Sequence, residues 1–361
     1  MQEQVPGEAA GEASSQAPAE VPGDAAPPAS ASSSIEDVYT VRDVEVDVTA
    51  ASAAAARDEA IAEAQREAYA ELVQRLAPPG TEVPPAGDAE LARMVQDFEV
   101  QRERSSSVRY LATLTVRFRP DAVRNHLQSG NVAFTETMSK PVLVLPVYRA
   151  ADGEPVLWED RTAWRDAWEN APPGGGLVPV QVPYGELADL SDISAEEAVS
   201  GDTDALAAIA ERYGAGDVLV AELPAPAGGP DPSVPGEVRL TRYGADGPEP
   251  TRTVPVPARP DGTVEDYLGA AVAAVGSLLE EDWKLATTSA SQEEGSILVT
   301  VPIGRLDDWV QTRRRLGEVP LVSGAVLRAL SRDEATVELR YRGDADRLRT
   351  ALAQQDLMLE D

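Results

Sequence analysis

The chain has no cysteine, one histidine and three phenylalanines, and aromatic residues fill 5% of its 361 positions. Without cysteine there is no disulfide, no thiol nucleophile, no thiolate metal site and no iron–sulfur cluster. The one histidine is His126, in "DAVRNHLQSG", and no HxxxH, HExxH or GxSxG pattern accompanies it. Neither a metal site nor a Ser–His–Asp arrangement is therefore supported, and His126 reads as an exposed or capping residue late in a short helix. Positive charge is also scarce. Lys and Arg number 31 against 62 acids, a net charge of −31. That excludes nucleic acid and anionic membrane surfaces as partners, because phosphate contacts need bases. No apolar run reaches the roughly 20 residues of a membrane-spanning helix.

What is present is an ordinary apolar fraction, 43%, in a chain long enough for two or three domains. Counting along the sequence, residues 1–37 carry −7, 38–130 carry −4, 131–294 carry −19 and 295–361 carry −1. The expected fold class is α+β, with three small α/β sandwich domains after an N-terminal tail. Residues 1–37 are Pro, Ala, Ser, Glu and Gly with almost no large apolar side chain, and read as a disordered tail. No signal peptide is visible there, and the segment resembles the mature start of an exported protein whose signal has been removed, the alternative being a cytoplasmic protein with a floppy tail.

In segment 38–130, Val44, Val46 and Val48 alternate with acids as in a half-buried strand. Ile61, Ala64, Ala68, Leu72 and Leu76 then mark one face of a long Ala-rich helix, followed by a short helix and a hairpin around Ser105–Ser107. Segment 138–290 opens on "KPVLVLPVYR", a strand apolar on both faces. It continues as helix, strand ("LVPVQVPYG"), one or two short helices, buried strand ("DVLVAEL"), exposed hairpin and closing helix. Segment 295–361 reads β-α-β-β-α-β, a ferredoxin-like order whose last short strand is "LMLED".

Two motifs invite a ligand reading and do not support one. "PPGGGL" leads from a helix into a strand and lacks the Lys of a phosphate loop, so it is a linker. "DLSDISAEEAVSGDTDAL" lacks the spacing of a calcium loop and reads as a solvated acidic face. No catalytic, cofactor-binding or metal-ligating set emerges.

Two interaction candidates remain. Trp158, Trp164 and Trp168 lie within eleven residues. Trp164 and Trp168, four apart, share a helix face, and Trp158 can fold beneath it. Core is the preferred reading over an exposed indole ledge. Arg313, Arg314 and Arg315 span a helical turn, so at least two must meet solvent. They pair within the molecule, with Asp307, Asp308, Glu318 or the acidic middle segment, or they engage an external partner.

"KPVLVLPVYR", "LWEDRTAWRDAWENA", "GLVPVQVPYGELADL" and "LAAIAERYGAGDVLVAEL", with "ARDEAIAEAQREAYAELVQRL" and "VPIGRLDDWVQTRRRLGEVP", resemble a bacterial envelope family, domain of unknown function 2066. The resemblance runs from Tyr39 onward. A more distant similarity is to periplasmic assembly proteins, FlgT and the N-terminal domain of TolB. What these resemblances imply is a periplasmic or cell-envelope location, envelope proteins as partners, and no catalytic residues to carry over. The function expected is a non-enzymatic interaction or assembly module. The alternative is a carboxylate-dependent enzyme acting on glycan or peptidoglycan through a pair such as Glu159 and Asp160, which, being adjacent, cannot readily face each other.

Overall fold

The computed structural model describes residues 35–172, 175–226, 228–245, 247–288 and 294–360. The expected disordered tail lies outside the described residues up to position 34. Its last three residues do not conform to that expectation, because they enter a helical turn, α1 (Ile35–Val38). The turn is held from both sides: the Thr40 hydroxyl donates to the Glu36 carbonyl at 2.7 Å, and the Arg75 guanidinium donates to the Val38 carbonyl at 2.9 Å.

The molecule is α+β, with three separate sheets among the described residues. The first segment runs β1 (Thr40–Thr49), α2 (Ala53–Leu76), α3 (Asp88–Met94), β2 (Val95–Ser105), β3 (Arg109–Phe118) and α4 (Pro120–Ser129). Its sheet has the antiparallel order β1-β3-β2. Ser52 caps α2 by accepting from Ala55 N at 3.2 Å. The α2 face laid on the sheet is Ala56, Ala60, Ala64 and Ala68, all fully buried. A methyl-sized interface lets the helix backbone approach the strands closely.

The middle segment comprises β4 (Val142–Arg149), β5 (Pro155–Val156), α5 (Ala163–Glu169), β6 (Val180–Gln181), α6 (Leu187–Asp192), α7 (Ala195–Ser200), α8 (Thr203–Tyr213), β7 (Asp217–Pro224), β8 (Gly236–Gly244), β9 (Gly247–Pro248), β10 (Arg252–Val256) and α9 (Val264–Thr287). The sheet order is β10-β8-β7-β4-β5, with β6 beside β4 and β9 beside β8. Central strand β4 is covered on both faces, as its unbroken apolar run requires. Val142 and Val144 join the cluster under α5 and α9, while Leu143, Leu145 and Val147 join the one under α7 and α8.

Two expectations need correction here. "LVPVQVPYG" yields only the two-residue β6, because Pro179 and Pro183 remove ladder donors on either side. The β8–β10 hairpin is not an exposed one: Val238, Leu240, Val254 and Val256 are buried on its inner face.

The apolar cluster beneath α5 and α9 is continuous with the core of the first segment. Helix α9 makes the join. Trp283 Nε1 donates to the Thr137 carbonyl at 2.6 Å, and the buried Lys284 Nζ donates to the Gln74 carbonyl at 2.9 Å. One turn earlier, the Glu280 carboxylate accepts from Leu177 N and Val178 N at 3.1 and 2.8 Å.

The third segment is β11 (Glu294–Pro302), α10 (Leu306–Glu318), β12 (Val322–Leu330), β13 (Glu334–Arg342) and α11 (Ala345–Ala353), with antiparallel order β11-β13-β12 and its own core around Trp309, Val337 and Leu352. This is the ferredoxin-like order without its fourth strand. Expected as a strand, Leu357–Glu360 packs Leu357 and Leu359 on the core but forms no ladder. A left-handed turn at Asp356 (φ 54°) sets its course, and Lys140 holds that turn through its backbone N to Gln354 Oε1 (2.6 Å) and its Nζ to Asp356 (2.5 Å).

Because α9 anchors both cores, Trp283→Phe is expected to lower the unfolding free energy by about 1–3 kcal/mol through the orphaned Thr137 carbonyl alone, with a further loss for the smaller ring. In denaturant titration, tertiary signals from the first and middle sheets should shift together. Separate shifts would contradict a shared core.

Candidate functional site

Helix α5 begins where Thr162 accepts from Arg165 N at 3.2 Å, and the spacing of its tryptophans aims both at the sheet. Trp164 is 0% exposed and Trp168 5%. The rings meet edge to face at 5.6 Å and 76°, and Trp164 Nε1 donates to the Ala221 carbonyl of β7 at 2.9 Å. These two are core. Trp158 does not fold beneath them. It packs with Leu157 on the opposite face of the sheet, donates to the Ile193 carbonyl at 2.7 Å, and carries the Arg165 guanidinium 5.5 Å above its ring. The loop before α5 crosses the sheet edge, so helical spacing does not govern Trp158.

Behind Trp168 the surface opens into a groove of about 780 Å³ between α5, α9 and β6. Small residues form its walls: Ala163 and Ala167 on α5 with Ala171 just beyond its C-cap, and Gly269, Ala273 and Gly276 along α9. Leu268, Val272 and Trp168 form the floor, with Val180 and Val182 at one side. An added Cβ on Gly269 or Gly276 would meet no atom within 4 Å. The charged residues of the lining are Asp166 and Glu265, both acidic. The Trp168 indole N–H is buried and has no acceptor among the described residues.

Of the two carboxylates considered for catalysis, Asp160 is exposed and Glu159 is otherwise engaged. Glu159 accepts from Leu157 N and Trp158 N, both at 3.1 Å. Partial burial raises its pKa, but the backbone N–H groups of Glu159, Leu157 and Trp158 outweigh that and hold it below the usual range. A carboxyl so disposed is a poor general acid. The acidic stretch is not only a solvated face, because Asp189, Glu197 and Asp202 sit in the N-terminal caps of α6, α7 and α8. Buried Asp189 accepts from Gly185 N, Glu186 N and the Tyr213 hydroxyl at 2.9, 3.1 and 2.9 Å. Ser194 with Glu197, and Asp202, cap α7 and α8.

His126 is neither exposed nor a cap. Its Nδ1 lies 2.9 Å from Glu90 on α3, its ring meets Tyr69 edge-on at 5.8 Å, and its buried Nε2 has no partner among the described residues. Of the three arginines, Arg313 and Arg314 are exposed and Arg315 is half-buried. Arg314 pairs along its own helix with Glu318 at 3.4 Å. The tryptophans and arginines do not converge on one site. Sequence reasoning missed the groove, although small residues recur at three- and four-residue steps at 163, 167, 171 and at 269, 273, 276.

Compared with known proteins, the chain matches no family model and no curated protein.

With Trp164 sealed in the core, Trp164→Ala is expected to destabilise by about 3–5 kcal/mol, and the half-buried Trp158→Ala by clearly less. Equal losses in chemical denaturation would contradict this ranking.

Proposed function

We propose that this chain is a non-enzymatic protein-interaction module of the bacterial cell envelope, and that the α5–α9 groove receives one amphipathic helix of a partner protein. The observation that carries this reading is the pair of glycines on α9. A glycine inside a helix costs about 1 kcal/mol relative to alanine. Neither Gly269 nor Gly276 has a positive φ or a neighbour that a methyl group would strike. The fold itself makes no demand for them, whereas a third helix lying close against α5 and α9 would.

Helices pack most closely where small residues face each other, at axis separations of about 8–10 Å. The α9 wall from Val264 to Gly276 spans about 18 Å, the length of about twelve helical residues. Leu268, Val272 and Trp168 offer the apolar floor that such a helix would cover. The carboxylates of Asp166 and Glu265 favour Lys or Arg flanking the partner's apolar face. The envelope location and envelope partners rest on the family resemblance, with which a cysteine-free composition is compatible. The non-enzymatic reading is supported by carboxylates committed to caps and turns.

A photo-reactive residue in place of Ala273, activated in native envelope fractions, is expected to cross-link to an amphipathic helix bearing Lys or Arg. Gly276→Leu in the same chain should abolish the product without lowering the melting temperature. A persistent product with the groove filled, or none from the open groove, would overturn the reading.

A further inference from the structure

Sheet edges expose unpaired N–H and C=O groups, and folded proteins usually blunt them with charges, prolines, bulges or brevity. Most edges here are blunted. Strand β1 carries Arg42, Asp43, Glu45 and Asp47 and shifts register between Val41 and Val44. Strand β2 is charged along its length and shifts register twice. Strand β10 is five residues long with Pro255 inside it, and β5 has two residues. Strand β12 carries Arg328 and two register shifts.

Strand β11 is different. It pairs with β13 through nine consecutive residues with no register shift, and between Glu294 and Pro302 it carries no charge and no proline. Its outer edge is where a fourth strand belongs in this fold, and Leu357–Glu360 makes no ladder with it. Ile297, Val299 and Val301 are consequently left half-buried on the helix side, and Leu298 is 64% exposed on the open face.

We propose that the outer edge of β11, unpaired among the described residues, pairs antiparallel with β11 of a second copy of this chain, around a two-fold axis at Leu298, joining two three-stranded sheets into one of six. The sequence is self-complementary about that centre. Leu298 meets its own copy, Ile297 faces Val299, Ser296 faces Thr300, Gly295 faces Val301, and Glu294 faces Pro302 rather than a like charge. Apolar and β-branched cross-strand pairs of this kind stabilise antiparallel ladders. Charge also selects the face. Two chains of net charge −31 repel, and residues 295–361, at −1, are the stretch where copies approach with least repulsion.

The test is sedimentation equilibrium of the full chain at high salt, which screens the overall repulsion. A dimer is expected whose dissociation constant rises about tenfold or more in Leu298→Lys and in Leu298→Glu, since each variant opposes like charges at the axis. An equimolar mixture of the two variants should recover dimer. Leu298 is largely solvent-facing, so unchanged circular dichroism separates loss of pairing from loss of fold. A monomeric wild-type chain, a dimer indifferent to both variants, or a mixture that stays monomeric would overturn the proposal. So would amide protection of β11 that persists at monomeric dilution, which would place Leu357–Glu360 on that edge.

Discussion

One helix has to satisfy two cores. The N-terminal half of α9 covers the middle sheet through Leu268, Ala271, Val272 and Val275, and its C-terminal half reaches the first segment through Trp283 and Lys284. A helix of 24 residues is about 36 Å long, enough to touch both but not to be enclosed along its whole length. Between the two anchors its outer face is left to α5. Since α5 has only seven residues and terminates at Asn170, it cannot fill the space beside α9. The groove results from that mismatch of lengths. The small residues on both walls keep it deep.

Rigid anchoring makes such a groove usable. Trp164, hydrogen-bonded to Ala221 and stacked edge-on against Trp168, fixes the roll of α5 on the sheet. Glu280, holding the backbone of Leu177 and Val178, fixes the chain that leads into β6. The α5 wall and the β6 side are therefore set by buried and part-buried hydrogen bonds rather than by surface ion pairs, which would contribute little. Of the clustered tryptophans, Trp164 lies one layer beneath the groove, Trp168 forms part of its floor, and Trp158 stands on the far face of the sheet.

Legibility followed periodicity. Strand β1, helix α2, both-faced β4, helix α9 and the β-α-β-β-α run of the third segment were readable because their apolar residues recur at two or at three to four residues. The failures lie where local geometry outranks periodicity. Prolines at 179 and 183 cut a hydrophobic run to a two-residue strand, and a loop crossing sent Trp158 to the far face. Asp189 became buried because three donors converge on its carboxylate, a grouping that no spacing rule anticipates. "LMLED" alternates as a strand should, yet alternation alone does not supply a ladder partner. The groove escaped because alanine and glycine on a helix are first read as permitting close packing within the fold. Only the three-dimensional arrangement reveals that nothing in the described chain packs there.

The central claim is that Gly269 and Gly276 keep the groove open at the expense of helix stability. The direct measurement is the unfolding free energy of the chain with both glycines changed to alanine. If the space serves a partner and not the fold, stability should rise, by about 1 kcal/mol for each substitution. A fall in stability would mean that the fold itself requires both glycines, and would contradict the account.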